Sequence, residues 1–173
     1  MKKPANIQEI YLQPGEFHFG DRSTRIRTIL GSCISIIMWH EKRLIGGMCH
    51  YILPNRRRPE GDELDGRYAD EAIELFMTRI HAANTKARDY HVKIFGGGNM
   101  FPDYQNKKRE KCADVPCKNV IAARKLIKQY GLNLVGENLG GAGHRQVLFD
   151  IWNGHVWVRR VEINTKAPAG TPR

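Results

Sequence analysis

The sequence predicts a single layered α/β domain of α/β/α type, with a mixed, largely antiparallel sheet and two long helices. Three observations carry that prediction. Residues 34–39 and 44–51 are apolar on both faces, as in strands covered from two sides. Ala69, Ala72, Ile73, Phe76, Met77, Ile80 and Ala83 recur at helical spacing, with Asp70, Glu71, Glu74 and Arg79 on the other side. Further strand-like runs lie before, between and after the helical ones. A chain of 173 residues suits one such core. The domain is expected over residues 7–163, with flexible termini at 1–6 and 164–173.

Along the chain, Ile7 to Leu12 alternates as an edge strand and meets a Pro14-Gly15 turn. Ile26 to Leu30 reads as a strand entering the corner Gly31-Ser32-Cys33. The two apolar stretches that follow are joined by the polar turn His40-Glu41-Lys42-Arg43. Pro54 ends the second of them, and residues 55–66 are polar, charged and aperiodic, the pattern of a mobile loop. After the first helix, His91 to Phe95 is a strand ending in Gly96-Gly97-Gly98. A second helix starts near Pro116, a residue tolerated in a first helical turn, and stops at about Tyr130 before Gly131. Leu132 to Val135 is a strand, and Gly140-Gly141-Ala142-Gly143 is a loop. Arg145 to Trp152 and His155 to Val161 form a hairpin, for which Asn153-Gly154 signals a type I′ turn. The last ten residues, with Pro168 and Pro172, read as a frayed tail.

Composition narrows the function. The N-terminus lacks the apolar core of a signal peptide, and no apolar run approaches the roughly 20 residues that span a bilayer. A cytoplasmic protein without membrane insertion is expected. Its four cysteines (Cys33, Cys49, Cys112, Cys117) are then expected to be reduced. Without a C-x-x-C pair no metal is expected. The net charge of +10 is spread over Arg22/Arg25/Arg27, Arg56-Arg57-Arg58, Lys107-Lys108-Arg109/Lys111 and Arg124/Lys125/Lys128. These clusters lack the interleaved aromatics that stack bases, so nucleic acid is not the expected partner. They solubilise the chain or attract an acidic macromolecule.

Chemistry concentrates at Cys33. A hairpin centred on Glu41-Lys42 sets Trp39 opposite Leu44, Ile37 opposite Gly46, Ser35 opposite Met48 and Cys33 opposite His50. Directly opposed side chains share a face with Cβ atoms about 4.5–5.5 Å apart. A thiol and an imidazole so placed are a candidate nucleophile and base. Against this, buried cysteines are commonly inert, and one β-bulge would shift the pairing. Ser32 is a rival nucleophile but lacks the G-x-S-x-G elbow. The glycine runs at 96–98 and 140–143 match no phosphate-binding signature, and close packing or tight turns explain them better.

The segment Thr28-Ile29-Leu30-Gly31-Ser32-Cys33 resembles the T-x-L-G-S-C signature of the CheD family, the chemoreceptor glutamine deamidases of bacterial chemotaxis. Gly46 to Pro54 resembles the family's G-G-M-x-H-x-x-L-P, and Lys93 to Met100 its K-x-F-G-G-A-x-M, with Gly98 in place of the alanine. Val115 to Val120 is similar to I-G-x-x-N-V, with Pro116 in place of the glycine. Leu139-Gly140-Gly141 with Arg145 resembles a late glycine-arginine block. The resemblance spans about residues 8–161. It implies a Cys nucleophile and a His partner, which fall on Cys33 and His50. It also implies an assisting threonine, here assigned to Thr28; some members place it one residue further from the cysteine, where this chain has Arg27.

The implied reaction is hydrolysis of receptor glutamine amides to glutamate without metal or organic cofactor. Receptor methylesterase activity, or non-catalytic regulation by docking, are the alternatives. The implied partners are the cytoplasmic helices of chemoreceptors and a CheC-type phosphatase, and the protein alone is expected to be a monomer. Cys112 and Cys117 receive no role.

Overall fold

A computed structural model describes residues 2–100, 112 and 114–161. The chain forms strands β1 (Gln8–Tyr11), β2 (Phe17–Asp21), β3 (Thr24–Leu30), β4 (Ile34–His40) and β5 (Ile45–Cys49) before helix α1 (Ala69–Ala82). A short 3-10 turn (Ala87–Asp89) leads to β6 (His91–Gly96), then α2 (Val115–Gln129), β7 (Asn133–Leu139), β8 (His144–Asp150) and β9 (His155–Val161). The expected tail at 164–173 and the basic cluster at 107–111 lie outside the described residues.

The strands build a mixed α/β domain with two sheets, in the orders β1-β3-β8-β9 and β2-β5-β4-β6-β7. Among the described strands, only the β1–β3 and β6–β7 pairs run parallel. Period-two alternation along β4 divides its side chains between two cores. Ile34, Ile36 and Met38 join a cluster with Ala72, Ile73 and Phe76 of α1 and Ala123, Leu126 and Ile127 of α2. Ile37 faces the other way, with Met48 of β5, Ile26 and Leu30 of β3, and Val147 and Phe149 of β8. The layers are therefore sheet, sheet, helices, which corrects the expected α/β/α order. Both helices cover one face of the five-stranded sheet, and the four-stranded sheet covers the other. A strand with two apolar faces reports that it is covered twice; it does not report by what.

The helices follow the expected boundaries within a residue. Asp114 caps α2 by accepting from the Cys117 N–H at 3.2 Å, with Pro116 in the first turn. Gly131, at φ +59°, takes the left-handed conformation just past its end.

The strands show larger departures. β2 is absent from the sequence reading because Phe17–Asp21 interposes His18 and Gly20 among its aromatics and lies at a sheet edge. β7 runs to Leu139, further than the apolar run that announces it. The β8–β9 pairing ends at Asp150 and His155, so the loop has four residues rather than a two-residue type I′ turn, and Gly154 N donates to Asp150 O at 2.9 Å. The expected mobile loop after Pro54 is tied to α1. The carboxylate of Glu71, nearly fully buried, accepts from Arg56 Nε at 2.7 Å and from the Asp65 N–H at 2.8 Å. Cys112 and Cys117 form a disulfide, where the sequence reading had all four cysteines reduced. Cys33 and Cys49 are free.

Candidate functional site

Cys33 occupies the turn between β3 and β4, half-buried, and every carbonyl of that turn is engaged. Gly98 N donates to Gly31 O and Gly97 N to Cys33 O, each at 2.8 Å. The side chain of Asn119, on α2, donates to Ser32 O at 3.1 Å. Two segments distant in sequence, the glycines after β6 and helix α2, thus hold the corner. The glycines at 96–98 permit this approach. A Cβ on Gly96 would collide with Cys33 O, and one on Gly97 would lie 2.5 Å from Val120. Behind them, Gly140 N donates to Gly96 O at 2.9 Å and Asn99 N to Gly141 O at 2.7 Å. Arg145, almost fully buried, donates to Asn138 Oδ1 at 2.7 Å and to Gly140 O. The run at 96–98 serves as close-packed backbone, and Gly140, Gly141 and Gly143 take positive φ in the loop behind it.

The β4–β5 register differs from the expected one. Ile37 opposes Met48, Trp39 opposes Gly46 and His40 opposes Ile45, with an isolated bridge from Ile34 to Tyr51. Leu44, at φ +50°, belongs to the turn and not to the strand, which moves the register by two residues. Because a two-residue shift preserves the facing of every side chain, Cys33 and His50 still share a face. In this register they are diagonal positions and not direct opposites, where backbones lie about 7–8 Å apart. Cys49 points away from them into the helix-side core.

His50 is buried and positioned by the segment between β1 and β2. Its backbone N–H donates to Glu16 O at 2.9 Å, and its carbonyl accepts from Gly15 N at 2.7 Å. Nδ1 lies 2.7 Å from the Thr28 hydroxyl, which also lies 2.8 Å from Leu12 O. A carbonyl only accepts, so the hydroxyl gives its hydrogen to Leu12 and receives one from Nδ1. That fixes the tautomer: Nδ1 carries the proton and Nε2 keeps its lone pair. Thr28 reaches the imidazole because β3 alternation points it inward while Arg27 is exposed. Neither the Leu12 carbonyl nor the Glu16 contact was visible in the sequence, since each is a backbone group brought in by tertiary folding.

Burial pushes the His50 pKa down to about 4, opposed by the Leu12 carbonyl and Glu16. Burial also raises the Cys33 thiol, opposed by the Ser32 side chain and the Cys33 amide. At neutral pH the resting pair is thiol and neutral imidazole. Cys49, enclosed completely, is pushed up to about 12. Among the described residues, no group of three His, Cys, Asp or Glu side chains is placed to hold a metal ion.

A model of the CheD chemotactic sensory transduction family matches residues 52–160. A Pseudomonas fluorescens protein named a probable chemoreceptor glutamine deamidase CheD is 51% identical over 159 residues, covering 92% of this chain and 88% of that one. The chain belongs to the CheD family. A relative of the same printed name from Pseudomonas syringae pv. tomato is 46% identical over 169 residues, covering 96% and 98% of the two chains. One from Leptospira interrogans, named probable chemoreceptor glutamine deamidase CheD 1, is 36% identical over 164 residues, covering 92% and 97%. The family match begins just after His50, whereas these alignments cover nearly the whole chain. No helix among the described residues is long and apolar enough to cross a membrane.

Proposed function

We propose that this CheD-family protein hydrolyses glutamine side-chain amides of bacterial chemoreceptors to glutamate, with Cys33 as nucleophile, His50 as acid–base and Thr28 as the group that orients His50. The observation that carries the reading is the Leu12–Thr28–His50 hydrogen-bond chain. It commits Nδ1 to Thr28 and leaves the lone pair of Nε2 to act as the proton acceptor. The names of the relatives supply the substrate class.

In this mechanism Nε2 takes the thiol proton as sulfur attacks the carboxamide carbon. The oxyanion draws on N–H groups of the Ser32-Cys33 corner, whose carbonyls are tied back. The imidazolium then passes its proton to the leaving nitrogen, and ammonia departs. A water deprotonated by Nε2 hydrolyses the thioester, which yields glutamate and restores the thiol. The imidazolium exists only transiently, in keeping with a pKa held near 4. The protein would act in the cytoplasm as a monomer with its deamidase domain at residues 7–163, the chain's net charge of +10 favouring acidic receptor helices, and it would bind a CheC-type phosphatase.

Mass spectrometry of receptor cytoplasmic fragments incubated with wild type and Cys33→Ala tests the reading, with ammonia release followed in parallel. Glutamine-to-glutamate conversion by wild type alone is expected. Methanol release from methylated fragments without ammonia would assign a methylesterase instead. Tight fragment binding without either product would assign a docking module.

A further inference from the structure

β4 and the chain after β5 stop pairing one residue past His50 and just short of Cys33, and a helix residue occupies the resulting gap. The last pair is Ile34 with Tyr51, whose backbones exchange hydrogen bonds at 3.1 and 2.9 Å. Beyond it Ile52 N turns away to Arg67 O at 2.9 Å. Cys33 and Ile52 would be the next partners, and no strand pairing holds them together. Asn119 of α2 spans the opening. Its Nδ2 donates to Ser32 O at 3.1 Å and to Ile52 O at 2.8 Å, and its backbone carbonyl accepts from the Tyr51 hydroxyl at 2.6 Å. Both side-chain contacts are carbonyls, so the amide must present its NH2 group to both. One amide therefore joins the residue before Cys33 to the residue two after His50.

The geometry points to Asn119 as a positioning residue that sets the separation of Cys33 and His50, an inference that rests on the cysteine–histidine reading above. Asn119 is wholly buried, and its Oδ1 has no hydrogen-bond partner among the described residues. A helix residue serving only packing would not retain an unpaired buried acceptor, because such a group destabilises the fold. What the amide uniquely supplies is two donors in a fixed fork. Ala at this position leaves both carbonyls unpaired, and Asp sets an acceptor against them. Either change frees the corner to move relative to His50 by a fraction of an ångström or more.

The test compares Asn119→Ala and Asn119→Asp with Ile127→Ala, a packing loss on the same helix. Turnover on receptor fragments is normalised to folded protein. Both Asn119 variants are expected to lose about 10-fold or more in kcat with KM within about twofold of wild type, since misplaced reacting groups cost rate and not binding. Ile127→Ala is expected to lower Tm with kcat per folded molecule unchanged. Iodoacetamide alkylation of Cys33 is measured alongside, and is expected to slow by about threefold or more in both Asn119 variants because His50 no longer assists the thiol. Alkylation reads the positioning even if no receptor glutamine is converted, so the two readings fail separately. Unchanged kcat and alkylation in folded Asn119→Ala would overturn the inference. Failure of both Asn119 variants to fold would overturn it as well, in favour of a structural role.

Discussion

The Thr28 hydroxyl sits between the Leu12 carbonyl and His50 Nδ1, at 2.8 and 2.7 Å, and so passes the direction of a backbone dipole to an imidazole ring. Replacing it with valine keeps the shape of the inward β3 side chain but removes that relay. Thr28→Val is expected to lower kcat by about 10-fold or more, part of the roughly 10²–10⁴ that a positioned base supplies. Thr28→Ser should retain most of the rate. Equal rates for Thr28→Val and wild type would remove Thr28 from the site.

Acid sensitivity follows from the same histidine. The His50 pKa is lowered from 6.5 to about 4, so as pH falls the unfolded chain binds its proton first. The stability from burying a neutral ring is fully present above about pH 6.5 and disappears as pH falls to about 4, a change on the order of 3 kcal/mol. Burial lowers His18 as well, with the same sign. Urea midpoints between pH 7 and 4 measure the slope. The acid limb of activity should fall near pH 4, well below an ordinary histidine, and a limb near 6.5 would contradict a buried neutral base.

The cysteines should separate by reactivity. Cys33 is partly open, Cys49 is enclosed with its thiol pushed to about 12, and Cys112 is bonded to Cys117. Native alkylation without reductant is expected to label Cys33 alone, and mild reductant to add Cys112 and Cys117. Cys49 should react only after unfolding. Peptide mapping distinguishes these sets, and early labelling of Cys49 would show that its core opens locally.

Glu71 ties the post-Pro54 segment to α1 through Arg56, which also draws its carboxyl pKa down. Glu71→Gln keeps the volume but removes the charge facing Arg56 and Arg58. A loss of about 1–3 kcal/mol is expected, moderated by the partial exposure of both arginines. The wild-type contribution is present above ordinary carboxylate pH and lost as pH falls through the depressed pKa. Thermal melts of both proteins at neutral and acidic pH should converge in acid.

These expectations depend on features that the sequence revealed unequally. Helix α1 was legible because its apolar stripe obeys one period over fourteen residues. The alternation along β4 was legible too, because it survives a two-residue error in register. The register itself was not, since Leu44 is apolar like a strand residue yet adopts the left-handed conformation of a turn. The order of layers was hidden for a related reason: an isoleucine buried by a sheet looks the same in sequence as one buried by a helix. Asn119 could be quoted within a motif, but its two carbonyl acceptors come from residues 67 and 87 positions away.

β4 has a partner strand on each edge and a separate core on each face. Its backbone amides should therefore exchange with solvent only when the whole domain unfolds, at the slow end of the hydrogen-exchange range. Cys33 immediately precedes that strand. The thiol is thus mounted on the least mobile part of the molecule, and a partner that docks there meets a fixed target instead of one it must first assemble.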